Sequence, residues 1–118
     1  MNCFIIKREE ISFLDTGWGN GYISLPSFHP LYKKDYQQIN ESNYQLPHGN
    51  WTCANYFKDF NIKFKIEILK NSNINDLDWI LGFDTAHLGD NKKKWSKKNV
   101  LNETLKTFDF YSNIENFI

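Results

Sequence analysis

The segment from Trp79 to Asp90 joins an apolar run to side chains that can carry charge. Trp79 to Phe83 has the composition of a buried strand, and Asp84, His87 and Asp90 follow it at once. An apolar strand that ends in titratable groups is a common way to present a site, because a rigid element then holds the chemistry at its tip. The sequence therefore predicts a polar site at the end of this strand.

Two interpretations of this polar segment are open. If one helical turn follows the strand, Asp84 and His87 share a face, and a carboxylate beside an imidazole favours the charged imidazole that suits an anionic partner. In the structural interpretation, Asp84 caps a turn, His87 is an edge histidine and Gly89-Asp90 forms an ordinary turn. Short Asp/His motifs are common in loops, so the spacing alone names no reaction.

Each of the three histidines lies in a turn marked by glycine or proline, at His29-Pro30, His48-Gly49 and His87. If they converge with Asp84 and Asp90, they could bind a metal, donate hydrogen bonds to phosphate or ribose hydroxyls, or transfer protons. The chain has neither an HxxxH nor an HxH pair, so we expect no metal and no cofactor.

No nucleophile is evident from the sequence. A nucleophile elbow that would support a catalytic serine is missing. The two cysteines form no CxxC motif, and a disulfide between them is left open. We assign no catalytic residue, and an enzymatic function remains an open alternative.

Composition narrows the class of protein. The chain has 118 residues, enough for a single domain over 1–118, with 14 basic and 14 acidic residues and a net charge of zero. General nucleic-acid binding needs a basic surplus, so we do not expect it. Aromatic residues make up 17% of the chain, enough to line a pocket that stacks on planar ligands. With no secretory or membrane-spanning run in the sequence, we expect a cytoplasmic protein in the host cytosol and no membrane partner.

The hydrophobic pattern predicts an α+β fold, with a mostly antiparallel sheet and a C-terminal amphipathic helix packed on one face. The charged run from Lys7 to Glu10 is read as a solvated hairpin turn. Apart from the strand at Trp79, the predicted strands are Cys3 to Ile6, Ile11 to Leu14, Tyr22 to Leu25, Trp51 to Phe57 and Ile62 to Ile68.

Two helical stretches are predicted as well. One or two helical turns are expected between Lys33 and Ile39. The C-terminal helix begins at a cap, Ser96 or Asn99. Its apolar stripe consists of Leu101, Leu105, Phe108, Tyr111, Ile114 and Ile118.

The order of these motifs resembles a family of small uncharacterised phage and prophage proteins. The family pattern is a Gly-Tyr strand, a His-Pro-x-Tyr loop, a His-Gly turn before a threonine, and a Trp-x-x-Gly-Phe-Asp-x-Ala-His-x-Gly-Asp segment ahead of a helix. This chain carries the pattern at Gly21-Tyr22, His29 to Tyr32, His48 to Thr52 and Trp79 to Asp90. It departs from the family at Asn50, where a second glycine is usual, and at Asp78, where a tryptophan is frequent.

The resemblance implies a phage setting, and small phage proteins of this size often block host immunity. We therefore expect an inhibitor of bacterial antiviral defence that binds a nucleotide-like ligand in a pocket of histidine, aspartate and aromatic side chains. The expected ligand-binding residues are His29, Tyr32, His48, Thr52, Trp79, Asp84, Thr85, His87 and Asp90. The alternatives are a protein that docks on a host defence effector and a small, metal-assisted hydrolase. Homo-oligomerisation is left open.

Overall fold

The computed structural model describes residues 1–9, 15–60, 66–70 and 73–114. Five antiparallel strands form one sheet in the order β3-β5-β2-β1-β4. The elements follow one another as β1 (Asn2–Lys7), β2 (Gly19–Leu25), α1 (Tyr36–Asn40), β3 (Cys53–Tyr56), a 3₁₀ turn (Phe57–Asp59), β4 (Ile66–Ile68), β5 (Trp79–Phe83) and α2 (Lys97–Ser112). The predicted α+β fold, with an antiparallel sheet and a C-terminal helix against it, is confirmed.

Both faces of the sheet are buried, because alternate residues of its central strands are apolar on each side. Ile23 of β2 and Leu81 of β5 belong to the core cluster on the α2 face. On the opposite face, Phe4, Tyr22 and Ile80 form a second core cluster. A sheet that is covered on both sides leaves the strand ends and the loops beyond them as the places for a site.

Helix α2 begins at Ser96, whose side chain accepts a hydrogen bond from the backbone N–H of Asn99. Its buried residues are Val100, Thr104, Thr107 and Tyr111, and of these only Tyr111 belongs to the predicted apolar stripe. The helix lies so close to Gly21 that an added Cβ there would be 2.1 Å from Thr104 Oγ1. This close approach requires small side chains at the centre of the contact.

The predicted stripe lies beside this central line. Leu105, Phe108 and Ile114 are half-buried and pack against the core, and Ile118 lies outside the described residues. The two threonines can be buried because their hydroxyls donate to the carbonyl oxygens of Val100 and Glu103, each at 2.7 Å. Hydrophobic periodicity missed this face because the sequence places hydroxyl groups on it.

The remaining predicted elements are found with shifted ends. The helical turns expected between Lys33 and Ile39 begin later, since the Asp35 side chain caps α1. The strand expected from Trp51 to Phe57 is shorter. Of the strand expected from Ile62 to Ile68, only β4 is described, and the strand expected from Ile11 to Leu14 lies outside the described residues.

The Tyr111 hydroxyl joins α2 to two other segments. It accepts a hydrogen bond from Trp51 Nε1 at 2.9 Å and donates one to the Gln45 carbonyl oxygen at 2.8 Å. Burial raises the pKa of Tyr111 to about 12, although the bond from Trp51 opposes this shift, so the hydroxyl stays protonated near neutral pH. Both Tyr111 and Trp51 are fully buried.

We therefore expect Tyr111→Phe to lower the free energy of unfolding by about 1–3 kcal/mol, since it leaves the buried Trp51 N–H without an acceptor. Chemical denaturation measures the change. Tyr44→Phe is the matched control, because the Tyr44 ring lies 6.4 Å from that of Tyr111 and its hydroxyl has no hydrogen-bond partner among the described residues. Equal effects of the two substitutions would contradict this account of the core.

Candidate functional site

The site is built at the carboxyl end of β5, the strand that pairs with both β2 and β3. The chain leaves this strand at Asp84 and forms bends and a turn, so the helical turn considered above does not follow the strand. The turn closes with a hydrogen bond from Asp90 N–H to the His87 carbonyl oxygen at 2.9 Å. Gly89 occupies its third position with φ of 89°, a value that glycine adopts at little cost.

Asp90 is the acceptor at the centre of the site. It is only 6% exposed, and its carboxylate accepts hydrogen bonds from His48 Nε2 at 2.9 Å and from the backbone N–H of His87 at 2.9 Å. Burial raises the pKa of Asp90, but these bonds and the nearby imidazoles outweigh it and lower the pKa from the ordinary value of 3.8. The carboxylate therefore stays ionised at neutral pH.

His48 is fixed from three sides. Its backbone N–H donates to Glu103 Oε2 on α2 at 2.8 Å, and its imidazole donates to Asp90. The ring also packs on Trp95, with ring centroids 4.2 Å apart and a 32° angle between the planes. These contacts join the 48–50 turn, the loop after β5 and α2 into one unit.

His87 lies beside this unit and is less constrained. Its Nε2 is 3.2 Å from Asp84 Oδ1, yet this buried nitrogen makes no hydrogen bond of good geometry within the described residues. The contact is therefore an ion pair when His87 is protonated, rather than an aligned hydrogen bond. Its ring lies edge-on to that of His48, with centroids 5.5 Å apart.

Gly49 leaves room for the His87 ring. It has φ of 68°, and an added Cβ would lie 2.1 Å from His87 Nε2. Asn50 also has positive φ, at 67°. Asparagine is one of the few residues with a side chain that tolerate this conformation, so it is compatible with the turn.

A groove of about 1030 Å³ opens beside His87 and Asp90. Arg8, Asn20 and Tyr22 also line it, and Phe60 contributes an apolar surface. Tyr22 belongs to the core cluster on the sheet face opposite α2, and Ile6 and Phe60 pack against it, so the groove lies at the edge of that cluster. It is large enough for a small organic ligand.

Sequence analysis missed Arg8, Asn20 and Tyr22. We read the run from Lys7 to Glu10 as solvated charges, whereas Arg8 is half-buried, and its Nη2 donates a hydrogen bond to Asn20 Oδ1. One feature pointed to it, since Arg8 is the only arginine in a chain whose other basic residues are lysines.

The structure brings four of the nine expected ligand-binding residues together: His48, Asp84, His87 and Asp90. Thr85 is adjacent but fully buried, and its hydroxyl donates to the Gly19 carbonyl oxygen at 2.7 Å. Thr52 is exposed, and its N–H donates to the Gly82 carbonyl oxygen at 2.8 Å. Thr85 thus serves the fold, and neither threonine lines the groove.

His29 lies apart from the other two histidines. Its Nε2–H donates to the Tyr111 carbonyl oxygen at 2.9 Å, and its Nδ1 accepts from Leu31 N–H at 3.1 Å. Burial lowers the pKa of His29, although the Tyr111 bond opposes the shift. His29 bonds to Tyr111 and His48 bonds to Glu103, and these two residues of α2 are eight positions apart. The two histidines therefore contact the helix at points about 12 Å apart along its axis.

Tyr32 and Trp79 lie at the other end of β5. The Tyr32 hydroxyl donates to the Leu77 carbonyl oxygen, and Trp79 Nε1 donates to the Lys34 carbonyl oxygen. The length of the strand, about 13 Å from its first residue to its last, separates them from Asp84. The expected pocket of nine residues is therefore divided among separate places in the fold.

Three further findings concern metal, cysteine and membrane chemistry. Within the described ranges, no group of three or more His, Cys, Asp or Glu residues is arranged to hold a metal ion. Cys3 and Cys53 are both free cysteines. Among the helices of the described chain, none has the length and apolar character needed to cross a membrane.

Fold and site together define an α+β protein with a groove beside the loop that follows β5 and a histidine–aspartate cluster that includes two residues of the groove lining, His87 and Asp90. Compared with protein-family models, curated proteins and solved structures, the chain has no match in any of the three.

We expect Gly49→Ala to displace the His87 ring and to lower the free energy of unfolding by about 1–3 kcal/mol, because strain at positive φ adds to a steric clash. The imidazole resonances of His87 in NMR spectra and thermal melting measure the two effects. Gly89→Ala is the matched control, since Gly89 also has positive φ but faces open space. If both variants leave the His87 resonances unchanged, the contact with Gly49 does not position the ring.

The lowered pKa of Asp90 predicts that the stability of the fold depends on pH. A carboxylate whose pKa is lower in the folded state contributes stability above its unfolded pKa and loses it as pH falls through the folded value. We expect Asp90→Asn to lower the free energy of unfolding by about 1–3 kcal/mol at pH 5. The difference between wild type and variant should shrink below pH 3.8, the ordinary pKa of the group. Denaturation curves from pH 2 to pH 6 test this, and a difference independent of pH would contradict it.

Proposed function

We propose that this protein binds a nucleotide-like ligand in the groove beside His87, and that it acts in a phage setting as an inhibitor of bacterial antiviral defence. The observation that carries the binding proposal is the groove itself, which places polar donors and an apolar surface around a volume of about 1030 Å³. Small-molecule sites are concave and mainly apolar, with a few polar groups that orient the ligand.

The groove wall offers each kind of contact that a nucleotide needs. Phe60 is a half-buried ring at the groove and can contact a planar base. The His87 side chain is 37% exposed, and since its Nε2 is buried beside Asp84, Nδ1 is the ring nitrogen left to donate to a ribose hydroxyl or a phosphoryl oxygen. Asp90 is already occupied by bonds from His48 and His87, so its main effect is to hold the loop.

The setting in host defence rests on the resemblance of the Trp79 to Asp90 segment and its companion motifs to small phage proteins. Four of the polar residues in these motifs, His48, Asp84, His87 and Asp90, lie together in the fold. This clustering is what a binding role for the motif requires.

A docking function on a host defence protein is the second candidate. Leu88, at the tip of the same loop, is fully exposed. An exposed apolar side chain beside a groove is a suitable contact for a protein partner. In that case Leu88→Asp would abolish inhibition and leave nucleotide binding intact.

A panel of nucleoside mono-, di- and triphosphates and cyclic nucleotides, titrated by calorimetry, tests the binding proposal. We expect at least one to bind, and His87→Ala to weaken it roughly tenfold to a hundredfold through loss of a charge-assisted hydrogen bond. Lys93→Ala is the control, because Lys93 is exposed and does not line the groove. Failure of every nucleotide to bind the folded protein would reject the proposal.

A phage growth assay tests the proposed inhibition of host defence. It compares bacteria with and without a defence system while both express the protein. Wild type should restore growth only where the defence is present. His87→Ala should not restore it, with melting curves on the same samples showing equal amounts of folded protein. Full inhibition by well-folded His87→Ala would favour docking through another surface.

A further inference from the structure

Three polar side chains that line the groove form a hydrogen-bonded series. Arg8 follows β1, and Asn20 and Tyr22 lie on one face of β2 because they are two residues apart. Arg8 Nη2 donates to Asn20 Oδ1, and Asn20 Nδ2 donates to the Tyr22 hydroxyl oxygen at 3.1 Å. All three residues line the groove.

Asn20 Oδ1 and the Tyr22 hydroxyl oxygen each already accept a hydrogen bond within the series, whereas some of its N–H and O–H donors have no acceptor. The Tyr22 hydroxyl accepts from Asn20, and its own hydrogen has no acceptor among the described residues. The Nε of Arg8 is a buried nitrogen without a hydrogen-bond partner in the described part of the chain. A guanidinium carries five N–H donors and no acceptor. Because Nε is buried and Nη2 bonds to Asn20, Arg8 Nη1 and the Tyr22 hydroxyl are the donors left for a ligand.

The donors are held in place by the core beneath them. The Tyr22 ring stacks on Phe4, with centroids 4.9 Å apart and a 10° angle between the planes, and meets Phe60 edge-on at 5.6 Å. Burial raises the pKa of Tyr22, although Asn20 and Arg8 oppose the shift, so the phenol remains a donor at neutral pH. These side chains are already held in place, so little conformational entropy is lost when a ligand binds.

We propose that Arg8, Asn20 and Tyr22 form an anion subsite that takes the phosphoryl oxygens of the ligand. A phosphoryl group consists of strong acceptors, which match a wall of donors, and a planar guanidinium binds two of its oxygens at once. As a statement about the ligand, this inference rests on the proposed function. It places the phosphate beside β1 and β2, whereas His87 belongs to the loop after β5.

Short-range hydrogen bonds, rather than net charge, must supply this binding. Glu9, Asp15 and Asp90 line the same groove, so its carboxylates outnumber the two cations Lys7 and Arg8. Removing the Lys7 charge should therefore matter much less than removing the Arg8 donors. Lys7→Gln is the matched control for Arg8→Gln, since both replace one cation of the groove wall with the same amide.

The experiment titrates the protein with a nucleoside monophosphate, its parent nucleoside and inorganic phosphate by calorimetry. We expect the nucleotide to bind at least tenfold more tightly than the nucleoside. Arg8→Gln should weaken nucleotide binding roughly tenfold to a hundredfold and leave nucleoside binding unchanged. Arg8→Lys should recover only part of the loss, and Lys7→Gln should stay within about twofold of wild type.

Tyr22→Phe removes a single hydroxyl and keeps the ring that stacks on Phe4. It therefore tests the anion subsite if Arg8→Gln does not fold. We expect it to weaken nucleotide binding about twofold to tenfold, the loss that follows from one neutral hydrogen bond. Melting curves for each variant show whether the fold survives.

The outcomes separate this inference from the proposed function. If nucleotides bind and neither Arg8→Gln nor Tyr22→Phe weakens them, the anion subsite is rejected and nucleotide binding stands. If inorganic phosphate binds through Arg8 and Tyr22 but no nucleotide or nucleoside binds, the subsite stands and the proposed function is rejected. If nothing binds to wild type, both are overturned.

Discussion

The hydrogen bonds that Asp90 accepts are the interaction on which the site depends. A buried carboxylate is costly unless its partners compensate for lost solvation, and here the partners come from the 48–50 turn and from the loop itself. His48 in turn bonds through its backbone to Glu103 on α2. One carboxylate thus determines where two loops lie relative to the helix, and the position of the His87 ring follows from that arrangement.

The sheet places a second constraint on the site. Because core clusters cover both faces, ligand contacts have to come from the edges of those clusters and from loops. Tyr22 shows the result: its ring is core, and its hydroxyl reaches the groove. The same strand therefore contributes to stability through one end of a side chain and to the proposed binding through the other.

Sequence was a good guide to the fold, because periodicity reports burial. The apolar run from Trp79 to Phe83 is a central strand, and the C-terminal stripe lies on a helix against the sheet. It was a poorer guide to the site, since proximity across the sheet has no local pattern. His29 shares its turn chemistry with His48, yet it is a structural residue beside Tyr111. Arg8 was read as a solvated charge because nothing in its neighbours shows that β1 delivers it to a groove.

The groove residues that come from the loop after β5 differ in hydrogen-bonding state from those that come from β1 and β2, and this difference implies an orientation for the ligand. In the loop, the Asp90 carboxylate accepts from protein donors, and the Asp84 carboxylate lies beside the His87 imidazole. Beside β1 and β2, Arg8 and Tyr22 retain donors without acceptors. A ligand whose charge is concentrated at one end gains most by placing its anion against these donors, whose direct hydrogen bonds offset the nearby Glu9 and Asp15 charges. Its less charged part then lies towards His87, whose single ring can bond to a hydroxyl without requiring a full negative charge.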